Sequence, residues 1–288
     1  MIPQSRLDPP ASEETKPVCG QPKQETQAAD IIDDFDRLAV RGYLVETQYR
    51  PAKLDVPRQY SRPKPEPSSY IVVKRSRTVI ARFDGHLDYP LGNSTQAGWY
   101  PKLNNGSDQL VISQEIPRTG VQWVADFSNG FKIIFNGQSF NVGREATEMT
   151  LSDIDGDGIA EITVPITTFY GFEGWRLPPS DTPLPEIIFK YDPARREYLP
   201  ANTIFKDCLL KGIEAAESNV HTMNGQTNLG SLMSVALEYI FVGEENRGWN
   251  FFEKSCQLAD KRQIRAEMQK LLNAHPVYRY IYKKRTNR

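Results

Sequence analysis

Short apolar segments follow one another through the middle of the chain, from about residue 69 to residue 205. Their β-branched and aromatic residues, separated by turn residues, are typical of β-strands. In chain order they read YIVV, TVIARF, QLVIS, VQWVADF, FKIIF, EITVPI and EIIFKY. Two pairs, Asn129-Gly130 and Asn136-Gly137, flank FKIIF and tolerate the positive φ angles of type I′ turns. The pattern predicts an antiparallel β domain over residues 69–206, built of hairpins as an open or sandwiched sheet.

After about residue 207 the apolar residues take helical spacing. Three segments predict helices, namely NLGSLMSVALEYIFVG, NRGWNFFEKSCQLA and DKRQIRAEMQKLL. The third has Asp260 at its N-cap and Gln263 at the capping-box position. Pro276 follows, and VYRYIY predicts a final extended piece. Residues 207–288 are therefore expected to form a helical tail.

The first 68 residues have a different composition, because ten of the 21 prolines lie there among Gln, Glu, Lys and Ser. Such a segment buries too little apolar surface to offset its chain entropy, so we predict a largely disordered or extended arm. Within it, the spacing of apolar residues predicts a short helix near 31–41, begun by Asp30 and stopped by Gly42. This helix would serve as a docking element or as a strap over the core. The fold class predicted for the whole chain is α+β.

Four acidic residues are crowded into LSDIDGDGIAEITV, residues 151–164. Two unit charges 4 Å apart repel by about 4 kcal/mol at an effective dielectric constant near 20, so solvent or a cation must neutralise them. Aspartate at positions one, three and five with glycine at six matches the first half of a calcium loop. We predict a structural Ca²⁺ site, and a merely solvated acidic turn is the alternative. Its ligands would be Asp153, Asp155, Asp157, Glu161 and the carbonyl of Ile159.

The second half of the loop departs from an EF-hand, because position twelve is Val164 and a strand follows where a helix is required. The loop instead resembles the calcium loops of FG-GAP and VCBS-type β repeats, whose pattern D-x-D-x-D-G-x-x-[DE] precedes a strand. A second segment, residues 100–113, resembles the acidic loop but has Asp108 as its only acidic residue. No tight metal site is therefore expected there. Two units cannot close a propeller. The arrangement of the whole chain resembles uncharacterised bacterial proteins.

An aromatic segment, residues 168–185, follows the acidic loop. Its rings would present a stacking surface for carbohydrate or a protein, or would pack down onto the sheet. The candidates for this surface are Phe169, Tyr170, Phe172 and Trp175.

The motif DIDGD also resembles the first motif of haloacid-dehalogenase-type phosphatases. The surrounding hairpins and the absence of DGT argue against that reading. No G-x-S-x-G, P-loop or H-E-x-x-H motif is present.

Charge and cysteine content narrow the function classes further. The net charge of −1 provides no electrostatic field that would attract nucleic acid. The sequence contains no run of eighteen apolar residues, so no transmembrane helix is expected. The start lacks the pattern of a signal peptide, so the protein is cytoplasmic or a leader preceded this sequence. Cys208 and Cys256 would pair only if the C-terminal region brings them together.

These features predict a non-catalytic calcium-binding β domain with a structural or protein-interaction role and an unidentified protein partner. Millimolar calcium outside the cytoplasm suits a weak site, which favours an envelope, exported or secreted assembly. A carbohydrate- or ligand-binding module using residues 168–185 and a metal-dependent hydrolase are the alternatives.

Overall fold

The chain has an α+β fold in which antiparallel sheets precede a helical tail, as predicted. A computed structural model provides the coordinates. It describes residues 37–50, 68–83, 94–99, 109–116, 119–140, 149–169, 172, 177, 181–220, 222–223 and 226–283. Within these ranges the strands form three four-stranded sheets and one two-stranded hairpin.

The first sheet begins inside the segment predicted as a disordered arm. Its strands, in spatial order, are β1 (Arg37–Val40), β2 (Tyr43–Arg50), β3 (Ser68–Arg75) and β4 (Thr78–Phe83).

The helix predicted near 31–41 is wrong over its described part, because residues 37–40 are strand β1. Arg41 and Gly42, at φ 46° and 79°, form the two-residue turn to β2, so Gly42 is a turn residue and not a helix stop. Val40 is buried and Leu38 packs against the same core, so the two use the two-residue period of a strand. Pairing with β2 therefore overrides the local helical pattern.

The second sheet is a meander of β5 (Ser94–Trp99), β6 (Gln109–Ile116), β7 (Thr119–Asp126) and β8 (Lys132–Asn136). Of the two predicted Asn-Gly hairpins, only the first is formed, with Gly130 at φ 83° between β7 and β8. The second pair instead leads into a single helical turn, α1 (Gly137–Phe140).

The first and second sheets share one apolar core, so this part of the protein is sandwiched and not open. The core includes Val45, Ile71, Val73, Phe83, Leu110, Ile112, Trp123 and Phe127.

The third sheet positions the acidic loop. It consists of β9 (Thr150–Ser152), β10 (Glu161–Pro165), β11 (Glu186–Asp192) and β12 (Glu197–Pro200), in the order β12-β11-β10-β9. Ile162 and Phe189 are opposite each other and face the main core. This core is the apolar cluster that the third sheet shares with the helical tail and with part of the second sheet. Because side chains alternate along a strand, Glu161 and Lys190 lie on the other face.

The helical tail contains α2 (Lys206–Ser218), α3 (Leu229–Phe241), α4 (Glu245–Ser255), α5 (Lys261–Ala274) and α6 (Pro276–Lys283). A short hairpin of β13 (Thr222–Met223) and β14 (Gln226–Thr227) lies between α2 and α3. Helix α2 is not predicted from the sequence. Its apolar stripe is weak, and Ile213 is the one residue of this helix that is buried.

One local prediction for the tail is wrong, and another is confirmed only in part. The extended piece predicted after Pro276 is helix α6, because Val277 and Ile281, four residues apart, both enter the main core. Asp260 is the N-cap residue of α5, as predicted, but its side chain makes no capping bond; the Gln263 N–H donates to its backbone carbonyl.

The cysteines of the tail do not pair with each other. Cys256 is a buried free thiol, whereas Cys208 is disulfide-bonded. In the part of the chain that the structure describes, no helix combines the length and the apolar character needed to span a bilayer.

An ion pair between the buried Asp126 and the partly exposed Arg196 joins the second sheet to the third. The Asp126 carboxylate accepts hydrogen bonds from the Ser128 N–H (2.9 Å), the Ser128 hydroxyl (2.6 Å) and the Arg196 guanidinium (2.8 Å). Arg196, in the β11–β12 turn, also donates to the Asn129 carbonyl. Burial by itself would raise the pKa of Asp126, but these hydrogen bonds outweigh it and hold the pKa below the ordinary value of 3.8.

This ion pair makes stability depend on pH in a defined direction. Because the folded-state pKa of Asp126 is depressed, its contribution is present above the ordinary pKa and is lost as the pH falls through the folded value. We expect Asp126→Asn to unfold at lower urea concentration near neutral pH and to lose less stability than wild type below about pH 5. Asp260→Asn, at an exposed acid, should follow the wild-type curve. Parallel curves for Asp126→Asn and wild type would contradict the expectation.

Candidate cation site

The acidic loop connects two antiparallel strands. It starts where β9 ends at Ser152 and finishes where β10 begins at Glu161, so a strand follows the loop as predicted. Gly156 and Gly158 have φ angles of 77° and 85°, in the left-handed region that favours glycine. A Cβ at Gly156 would meet nothing within 4 Å, so the backbone angle, and not a lack of space, requires glycine there.

Carboxylates hold the loop in shape by accepting backbone hydrogen bonds. The Asp153 oxygens accept from the N–H groups of Gly156 (2.8 Å) and Gly158 (3.0 Å). Asp157 accepts from the Ile159 N–H at 2.8 Å. Glu161, at the start of β10, accepts from the Ile154 N–H at 2.8 Å. Asp153 and Glu161 therefore turn inward to the loop, whereas the Asp157 side chain stays exposed.

The ammonium of Lys190 lies among three of the four acidic side chains. Its Nζ is 2.8 Å from Asp155 Oδ2, 2.6 Å from Asp157 Oδ2 and 2.9 Å from Glu161 Oε1. The amino-acid sequence alone does not predict a role for this residue. The signal lies in the strand register: once Ile162 is opposite Phe189, Glu161 is opposite Lys190 as a cross-strand pair of opposite charge.

Burial and charge act against each other at this site. The Glu161 side chain is fully buried, which raises the pKa of its carboxyl although Lys190 and the Ile154 N–H favour the charged form. Burial would lower the pKa of Lys190, but hydrogen bonds to Asp155, Asp157 and Glu161 raise it above its ordinary value. Lys190 therefore stays charged at neutral pH. Three acidic residues contact this one ammonium and Asp153 lies in the same loop, which leaves an excess of acidic groups.

The donor set fits a hard divalent cation. Asp153, Asp155 and Glu161 each offer an oxygen, and these oxygens lie within 4.8 Å of one another. Calcium binds oxygen at about 2.3–2.6 Å, so oxygens up to about twice that distance apart can share one ion. Asp155 Oδ1 is also buried without a hydrogen-bond partner, and a bound cation would satisfy it.

The remaining two predicted ligands lie differently. Asp157 is outside this group of three and pairs with Lys190, while Ile159 contacts Asp157 through its N–H. The structure thus brings together three of the five predicted ligands.

The predicted aromatic surface is wrong for two of its four residues. Phe169 and Phe172 are buried in the main core. The Ile166 N–H donates to the Pro185 carbonyl at 2.8 Å, so the pairing of β10 with β11 continues past the strand ends between which Phe169 and Phe172 lie. Their rings therefore cover apolar surface and do not offer a stacking platform. Tyr170 and Trp175 lie outside the described residues.

No protein-family model, curated protein or solved structure matches this chain. The resemblance to FG-GAP and VCBS loops therefore rests on residues 153–161 alone and stays a prediction. The second segment that resembles this loop, residues 100–113, lies mostly outside the described residues. Its last part, from Gln109, belongs to β6.

Proposed function

We propose that this chain is a non-catalytic calcium-binding β domain with a structural or protein-interaction role. The observation that carries the proposal is the convergence of oxygens from Asp153, Asp155 and Glu161 where β9 turns into β10. The unsatisfied Asp155 Oδ1 supports it, because a buried carboxylate oxygen without a partner is costly.

A structural role fits the bonding of the loop. Asp153 and Glu161 already accept hydrogen bonds from backbone N–H groups, and Glu161 is buried at the first residue of a strand. An ion held here would tie the loop to β10. In this proposal, the bound ion stabilises the fold and maintains the shape of the loop.

We also propose an extracytoplasmic location and a protein partner, in an envelope or exported assembly. The disulfide at Cys208 supports the location, since disulfides persist in oxidising compartments. Support for a partner comes from β4, which is an edge strand of the first sheet as described and carries exposed Val79 and Ile80. Exposed apolar edges pair readily with other chains.

Calcium binding is tested by titration calorimetry and by melting curves with calcium, magnesium and chelator. An ion that binds only the folded state stabilises it by about 2.7 kcal/mol at a hundredfold excess over Kd. We expect calcium to raise the Tm of the wild type and magnesium to do so weakly, because magnesium gives up its waters reluctantly. Asp155→Asn should abolish the calcium effect.

Asp260→Asn is the matched control, because it removes one exposed acidic charge outside the loop. It should keep the full calcium response. A wild-type protein with the same Tm in millimolar calcium and in chelator, and without binding heat, would overturn the proposed function.

A further inference from the structure

Lys190 contacts two of the three acidic residues that could hold a divalent ion. Its Nζ is 2.6–2.9 Å from oxygens of Asp155, Asp157 and Glu161, distances close to those between calcium and its oxygen ligands. Two of these residues, Asp155 and Glu161, also belong to the group of three that offers a common site to a metal. An ammonium at Asp155 and Glu161 and a calcium ion bound to the same two carboxylates would repel each other, because both are cations held a few ångströms apart.

This arrangement differs from the other lysine pairs in the described part of the chain. Lys74, Lys132 and Lys206 each pair with a single carboxylate, that of Glu46, Glu197 and Glu244 respectively. Lys190 contacts three carboxylates and is the cross-strand neighbour of the fully buried Glu161. The sheet register fixes the backbone of Lys190 beside the loop, so its side chain is always within reach of these carboxylates.

We propose that Lys190 is a built-in cation that closes the acidic loop without calcium and competes with calcium for Asp155 and Glu161. The inference rests on the proposed calcium function and adds how that site is regulated. The site then has two closed states, one with the ammonium and one with the ion. Calcium affinity is lowered by the need to displace the lysine, and the loop keeps its shape when calcium is absent.

The lysine has a route out of the site. Its side chain is 23% exposed, and that of its partner Asp157 is 40% exposed, so this side of the cluster opens to solvent. A lysine side chain is long and flexible and readily places its ammonium in water. Exchange between the two states therefore requires a change of side-chain rotamer and no unfolding of the sheet.

The test compares Lys190→Met, which removes the charge, with Lys190→Arg, which keeps it, in the full chain. Calorimetry with calcium chloride should show at least tenfold tighter binding for Lys190→Met than for wild type. Melting curves should show a lower Tm for Lys190→Met in chelator and a larger rise with calcium. Lys190→Arg should bind no more tightly than wild type. Lys206→Met, which breaks a partly exposed pair elsewhere, should leave calcium affinity unchanged.

The outcomes separate the two proposals. Equal calcium affinities for wild type and Lys190→Met would overturn the competition and leave the calcium function standing. An absence of calcium binding in every variant would overturn both. If Lys190→Met folds only when calcium is added, the competition is supported.

A measurement on the wild type does not depend on the variants. In ¹⁵N-lysine-labelled protein, the Lys190 ammonium held by three carboxylates should give a protected resonance in chelator. Saturating calcium should abolish that resonance. A resonance that stays unchanged at saturation would overturn the proposal.

Discussion

Replacing Phe135 by alanine is expected to lower the free energy of unfolding by about 3–5 kcal/mol, the range for truncating a buried phenylalanine. Phe135, on β8 of the second sheet, is almost fully buried. Its ring lies 5.0 Å from the ring of Phe189 on β11, between centroids, and 6.4 Å from that of Tyr198 on β12. The substitution therefore opens a cavity where the second sheet meets the third.

Ile133→Ala provides the matched control, because Ile133 lies two residues away on the same strand and is 36% exposed. Surface substitutions usually change stability by about 0.5 kcal/mol or less, and we expect a cost near that size. Urea denaturation of both variants measures the difference. Similar midpoints for the two would show that Phe135 does not hold the sheets together.

Replacing Gly248 by alanine is expected to destabilise the protein by about 1–3 kcal/mol, as overpacking does. A Cβ at this position would lie 2.5 Å from the Ala236 carbonyl oxygen and 2.9 Å from Ile240 Cγ1. Both atoms belong to α3, and the first is backbone, so the two helices would have to move apart. Gly248 therefore sets how closely α4 approaches α3.

Gly212→Ala is the comparison that separates packing from helix propensity. Gly212 is an exposed position inside α2, and a Cβ there would meet nothing within 4 Å. Alanine should stabilise the protein at this position by about 0.5–1 kcal/mol, since glycine is the poorer helix former. Thermal and urea denaturation should thus show opposite signs for the two glycine substitutions. A loss of stability at both positions would contradict the packing argument.

The candidate site shows which parts of a site the sequence can predict. Asp153, Asp155 and Glu161 follow from their spacing within one loop, because ligands close in sequence are held close in space by the chain itself. Lys190 is 29 residues from Glu161 and meets it only through the pairing of β10 with β11. In the sequence, nothing about Lys190 distinguishes it from a solvated surface lysine.

The prediction of an aromatic stacking surface was wrong at Phe169 and Phe172 for a related reason. An aromatic ring in a loop has the same sequence signature whether it points to solvent or into the core. Phe169 and Phe172 are buried because the main core of the third sheet and the helices leaves an apolar surface for them to cover.

By itself the amino-acid sequence determined the features that depend on near neighbours: the alternating strands, the hairpin at Gly130, the helical tail and the acidic loop with its left-handed glycines. The tertiary structure alone decided that residues 37–40 pair as a strand, that α6 is helical and that Lys190 enters the loop. Periodicity and turn chemistry act over a few residues, whereas burial and strand register depend on residues far apart in the chain.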